Sequence, residues 1–400
     1  MTTTEQLQMP VARTCPFAPP EQYTKMREDQ AVTRVDIPDD KHAWVVTRHE
    51  DARLVLNDRR FSSDRFNPGF PFLTAGGNAF RRNEQRSMIG MDAPEHGPAR
   101  KSVLGEFTVK RINALRPRIQ QIVDGLIDDV LATGGEVDLV EKLSLPVPSL
   151  VICELLGVPY EDHDFFQEHT SKALRRTASF AERRDAIERV RDYLSDLITA
   201  KEADPGDDLL GRQIVKLRGE GTYEHEALAS MALLLLIAGH ETTANMISLG
   251  TVALLENPDQ LAKIKADPGR TLDAIEEMLR YFTIVDTATS RVAVEDVEIG
   301  GTTIPAGDGV IVLGYTANWD PAVFESPERL DLERGARHHV AFGFGPHQCL
   351  GQNLARAELQ IVFDTLFRRV PGLKLAKPVD DLDFKVDASI YGLYQLPVTW

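Results

Sequence analysis

Short runs rich in Val, Ile, Thr and Trp at Val32–Ile37 and His42–Thr47 read as two strands, and Pro38-Asp-Asp-Lys between them predicts a hairpin turn. Helical spacing follows. His49–Asn57, Ala114–Ala132, Pro148–Leu156, Ala181–Lys201, Leu272–Tyr281 and Gln352 to about Arg368 carry the spacing of helices, the second and third closed by Gly134-Gly135 and Gly157-Val-Pro159. Short alternating runs return in Arg291-Val-Ala-Val, Val297–Ile304 and Val310–Leu313, punctuated by Gly300-Gly301 and Pro305-Ala-Gly307. The pattern predicts a mainly α protein with a smaller β-rich region. The helical body covers about 90–282 and 350–370, and the β-rich parts lie near 30–60, 288–315 and 370–400. No Gly/Ser- or Pro-rich linker and no long block of like charge divides the chain, so a single domain over 1–400 is expected.

Two stretches break the pattern. Phe66–Ile89 mixes Pro68, Gly69, Pro71, Gly76 and Gly77 with Phe70, Phe72, Leu73 and Phe80 and has no sustained period; a long aromatic loop of this kind either folds onto the core or serves function. Glu226–Glu256 predicts a long helix that is apolar almost all round from Leu228 to Ala238, then carries Gly239-His-Glu-Thr-Thr-Ala-Asn245 in its interior. Gly239 admits close approach to the backbone, and Thr242 can turn its hydroxyl to a nearby carbonyl and loosen the helical ladder. A strained but purely structural helix is the plainer alternative.

Phe342-Gly343-Phe344-Gly345-Pro346-His347-Gln348-Cys349-Leu350-Gly351 delivers a cysteine near the start of a helix, where unpaired N–H groups favour a thiolate. A lone cysteine is ordinarily a small buried hydrophobe. A dinucleotide loop would need a third glycine where Gln348 stands. A zinc site would need close Cys or His partners, and Cys15 and Cys153 are distant in sequence. A single thiolate suits a haem iron.

The Phe-Gly-x-Gly-x-His-x-Cys-x-Gly run at 342–351 resembles the haem-binding signature of the cytochrome P450 family, and the resemblance extends over nearly the whole chain. It implies the family's fold, haem b with Cys349 as axial thiolate, Phe342 shielding the sulfur, Gly345 shaping the loop, and His347 at a haem propionate. His96 and Arg100, four apart, resemble the propionate-binding helix, and Arg291 a further propionate ligand. Ala238-Gly239-His-Glu241-Thr242 resembles the oxygen-activating groove: Thr242 would hold dioxygen and a water, and Glu241 would relay protons. Glu277, Arg280 and Arg329 resemble the structural network behind the cysteine loop, with Leu330 where the family often has Phe. Phe70, Phe72, Phe80, Ile89, Leu174, Leu235, Ile284, Val285, Ala288 and Ile390 would line an apolar substrate pocket, and Ala388–Leu393 would form a strand turn entering it.

Composition narrows the rest. A net charge of −16 argues against a nucleic-acid partner and against anionic membranes. The longest apolar run, Met231–Ala238, is far shorter than the roughly 20 residues of a membrane span. Three cysteines make no disulfide framework and suit a reducing cytoplasm. The implied activity is monooxygenation of a bulky apolar molecule (polyketide, macrolide, terpenoid or steroid-like) by a monomer, with dioxygen and electrons from a ferredoxin and its reductase. Arg100, Lys101, Lys110, Arg111 and Arg356 would form a local basic patch for that acidic partner. A peroxide-using haem-thiolate enzyme and a non-enzymatic haem-based ligand binder are the alternatives.

Overall fold

The computed structural model describes residues 7–74, 86–175, 177–285 and 289–400, and the chain is mainly helical with small sheets. It divides into two compact units, one of Met1–Pro98, Leu279–Leu330 and Ala336–Cys349, the other of Ala99–Met278, Asp331–Gly335 and Leu350–Trp400.

The first unit is built on a five-stranded sheet in the order Val32–Ile37, Lys41–Val46, Gly309–Val312, Ser290–Ala293, Phe61–Ser62. The expected hairpin joins the first two strands, with Asp39 and Asp40 at positive φ in its turn. Lys41–Val46 and Gly309–Val312 pair in parallel, Trp44 opposite Val310; the other ladders are antiparallel. Successive side chains point to opposite faces. Val310 and Val312 therefore join a core with Val46, Val55, Leu56 and Val340, while Ile311 and Leu313 join another with Val35, Val45, Tyr23 and Met26. Because both faces are buried, a one-residue slip would exchange the contents of two cores. The helix His49–Asn57 forms as its spacing predicts and buries His49, Ala52, Val55 and Leu56.

The second unit is organised on the helix His225–Glu256, which packs against Pro146–Leu156, Phe180–Ala203 and Gln352–Arg369. Its length and composition alone would let it cross a bilayer, which the eight-residue apolar run did not suggest; most of its residues are instead buried within the unit. Close packing has a local reason: a Cβ on Gly250 would lie 2.5 Å from Phe363 Cζ and 3.2 Å from Met278 Sδ. Thr108, Ser179 and Asp208 cap the helices that follow them. Val137-Asp138, Pro397–Thr399 and Lys374-Leu375 form a small sheet. Ala388–Leu393, expected as a strand turn, contains no strand; only isolated bridges pair Ala388 with Arg175 and Leu393 with Phe384.

Candidate active site

In the first unit the cysteine loop is held by its own backbone. Val340 and Phe342 carbonyls accept the N–H groups of Gly343 and Cys349 at 2.8 Å each, and Gly345 accepts from Gln348 at 3.0 Å. Gly343 and Gly345 have φ of 70° and 72°, a region nearly closed to other residues. Gly345 is fixed twice over, because an added Cβ would sit 2.7 Å from the Leu56 carbonyl and 2.9 Å from Asn57 Cα. Gly345→Ala should therefore destabilise the protein by about 1–3 kcal/mol, read as a lowered thermal midpoint, and an unchanged midpoint would show that the loop relaxes without penalty. Cys349 is half-buried, three residues ahead of Gln352, and Phe344 is capped by the Arg53 guanidinium 4.2 Å from its ring.

His96 and His347, far apart in sequence, bring their rings to 4.0 Å between centroids. Arg291 is buried, donating to the Ser290 carbonyl at 2.9 Å. Burial pushes its guanidinium down to about 10 against the opposing charge of Asp92. A buried cation of this kind calls for an anion. A thiol, an imidazole pair and a buried guanidinium in one unit fit a metal-bearing group with anionic arms.

Behind the loop, Arg280 is fully buried and donates to the carbonyls of Asn318 at 3.0 Å and Arg329 at 3.4 Å. Asn318 in turn accepts the Val340 N–H at 2.8 Å and donates to Thr283 Oγ1 at 2.8 Å. A line of hydrogen bonds thus runs from Arg280 to the start of the cysteine loop. Asn318 gave no sequence signal. Phe70, Phe72, Ile89, Ile284 and Val285 also belong to this unit; Phe70 and Phe72 rings lie 5.0 Å apart, Ile284 is buried, and Ile89 is 38% exposed. Phe80 and Ala288 lie outside the described residues.

In the second unit, Thr242 donates its hydroxyl to the Ala238 carbonyl at 2.7 Å, the diversion that its sequence position suggested. Leu235, Ala238 and Thr242 follow at spacings of three and four along one helix face. Ala238 is exposed and Thr242 half-buried amid buried neighbours, so this face is accessible at the middle of a core helix. Gly239 packs on Ile152, 3.3 Å from its own would-be Cβ.

Glu241 is buried beside Lys385, whose Nζ donates to Oε2 at 3.1 Å, and Asn245 Nδ2 reaches the same oxygen at 3.4 Å. Burial is the largest single influence and would raise this carboxyl, but the Lys385 charge, the neighbouring His240 and the hydrogen bonds from Lys385 and Asn245 together hold the group below the usual carboxylate range. Its Oε1 is buried with no hydrogen-bond partner among the described residues. His240 Nδ1 lies 2.9 Å from Thr170 Oγ1, and burial holds its imidazole below its ordinary value. Lys385 was not singled out in sequence, and Asn245 stood there only as the end of the polar interruption; the one signal for Lys385 is a cation set between Phe384 and Val386.

The Ser389 N–H donates to the Leu174 carbonyl at 3.2 Å, which brings Leu174 and the turn carrying Ile390 together. Glu277 accepts from the Asp331 N–H at 3.0 Å and from Arg334 Nε at 3.1 Å, so Arg334 joins the structural set that sequence limited to Glu277, Arg280 and Arg329. The expected basic patch is smaller than it reads in sequence. Arg356 forks onto Glu276 at 2.5 and 2.9 Å and Arg111 lies 3.4 Å from Glu106, whereas Lys101 and Lys110 are exposed and Arg100 is half-buried.

Residues 162–370 match the family model described as Cytochrome P450. The chain is 51% identical to pentalenic acid synthase of Streptomyces avermitilis over 98% of this chain and 96% of that one. It is 46% identical to vitamin D3 dihydroxylase of Streptomyces griseolus over 100% and 98%. Among solved structures, MoxA from Nonomuraea recticatena superposes with a TM-score of 0.93 at 61% identity, covering 98% of both chains.

Proposed function

The chain belongs to the cytochrome P450 family, a monooxygenase that carries haem on a cysteine thiolate, and from that premise we propose that it hydroxylates a bulky apolar small molecule with electrons from a ferredoxin and its reductase. The bound haem supplies dioxygen activation, its thiolate pushing electron density toward the iron, as is general for the family. One oxygen atom enters a C–H bond and the other leaves as water, which requires two electrons and two protons.

Cys349 would hold the haem iron through its thiolate, and His96, Arg100, Arg291 and His347 would bind the propionates. Thr242 positions dioxygen and a water: its hydroxyl proton is engaged by the Ala238 carbonyl, which leaves the oxygen able to accept a hydrogen bond. Glu241, with an unpartnered oxygen, hands protons inward. The name of one relative, vitamin D3 dihydroxylase, supports a bulky apolar substrate, with Leu174, Leu235, Ile284 and Ile390 among its contacts. Three free thiols support a reducing, cytoplasmic setting. Lys101 and Lys110 are the cations left to meet an acidic donor protein.

The observation that carries the dioxygen reading over a peroxide-using one is the Thr242–Ala238 hydrogen bond on the accessible face of a buried helix, beside an ionised carboxyl. Thr242→Ala should keep its haem yet divert electrons to hydrogen peroxide, with product per electron down by about tenfold, less than the roughly 10²–10⁴-fold that a group acting directly in proton transfer contributes. Undiminished coupling would overturn the role given to Thr242.

A further inference from the structure

Lys385 is a buried cation for which the haem chemistry has no ready use. It lies in the segment Phe384–Tyr394, whose two sides are joined by the Phe384–Leu393 bridge and by the Lys385 N–H donating to the Gly392 carbonyl at 2.8 Å. Gly392 seats this segment on the long helix: an added Cβ would lie 2.0 Å from Asn245 Oδ1. Asn245 and Lys385 then converge on Glu241 Oε2. On the other side, the Tyr394 ring is 5.7 Å from Lys385 Nζ, and the Tyr394 hydroxyl donates to Asp387 Oδ1 at 2.6 Å. Thr177 donates to Asp387 Oδ2 at 3.0 Å. One run of contacts therefore leads from the chain after Leu174, through the segment that carries Ile390, to the single carboxylate in the middle of the core helix.

We propose that Lys385 is a positioning residue for Glu241, and that the Phe384–Tyr394 segment makes the ionisation and orientation of Glu241 depend on how that segment is seated. The inference rests on the proton-relay reading of Glu241. With the ammonium at 3.1 Å the carboxylate is held as an anion and its Oε2 is occupied, so Oε1 is the atom that takes a proton from water and passes it on. Loss of the ammonium leaves an unpaired buried carboxylate, which takes up a proton instead. The other titratable group on Glu241 is His240, held neutral by burial. Ile390 sits five residues from Lys385, so apolar contact there acts on the same segment.

The test uses the holoenzyme and three readouts. Lys385→Met should show a carboxylic-acid C=O stretch in the infrared at neutral pH that is absent from wild type, from Lys385→Arg and from Lys385→Met/Glu241→Gln. Gly392→Ala, which forces the segment off Asn245, should show the same band. The pH dependence of the thermal midpoint separates the cases too. In wild type, the lowered carboxyl stabilises above the ordinary carboxylate range and the contribution is lost as pH falls through its folded value; in Lys385→Met, relative to the double variant, stability falls as pH rises. Product per electron should drop by about tenfold in Lys385→Met and be restored to within about twofold in Lys385→Arg. No band in either Lys385→Met or Gly392→Ala overturns the proposal. Undiminished coupling in Glu241→Gln overturns the relay role itself, and with it the catalytic part of the inference, while the infrared result still reports the pair.

Discussion

Cys349→Ser should give a protein whose reduced, carbon monoxide-bound spectrum lacks the strongly red-shifted Soret band of thiolate-ligated haem and whose monooxygenation falls below detection. Serine keeps the size of the side chain and removes the soft ligand, since its hydroxyl stays protonated where a thiol ionises. The other two cysteines cannot stand in. Burial, with the Asp162 charge, pushes the Cys153 thiol up to about 12, so it holds no thiolate at neutral pH. Cys15 is exposed on the N-terminal segment. A serine variant that retained the red-shifted band would move the ligand away from Cys349 and undo the reading of the whole loop.

Arg280→Ala should fail to accumulate as folded, haem-loaded protein. Arg280 heads the fully buried side chains of the molecule, and its truncation strips donors from the Asn318 and Arg329 carbonyls while opening a cavity. Each hydrogen bond lost to a carbonyl costs about 1–3 kcal/mol, and a large-to-small core change adds about 2–5 kcal/mol. Together these approach the roughly 5–15 kcal/mol that holds a typical domain. Arg280→Lys should not rescue it, because one ammonium on a flexible stem does not reproduce the fixed fork that serves two carbonyls. Haem content per folded protein and the urea midpoint are the measurements; a variant that loads haem and unfolds at the wild-type midpoint would show that Arg280 is dispensable to the loop.

Local structure was largely legible in the chain, because local rules set it. Val32–Ile37 and His49–Asn57 fall where period and punctuation put them, and the long helix begins one residue before its expected start. The Thr242 diversion was legible for the same reason, since its carbonyl partner lies four residues away. What could not be read were pairings that depend on how distant segments meet. Lys385 finds Glu241 across 144 positions, and Arg356 finds Glu276 across 80. The first turns an isolated acid into half of a buried pair; the second removes a cation from the surface patch to which sequence assigned it. The Ala388–Leu393 turn, expected between strands, differs for a related reason, as single bridges and side-chain anchors hold it in place of a ladder.

The parallel pairing of Trp44 with Val310 has a consequence for how the chain is made. The two strands are separated by roughly 265 residues, and at about 5–20 residues per second a ribosome needs on the order of tens of seconds to deliver the second after the first. During that interval the Lys41–Val46 edge of the hairpin, with Val45 and Val46 later fully buried, has no neighbour and is open to mispairing. The missing strand leaves the ribosome only about 30 residues before the cysteine loop. Completion of the sheet and readiness to receive haem are thereby tied to nearly the same moment of synthesis, and a chaperone that shields the early hairpin would govern the yield of both.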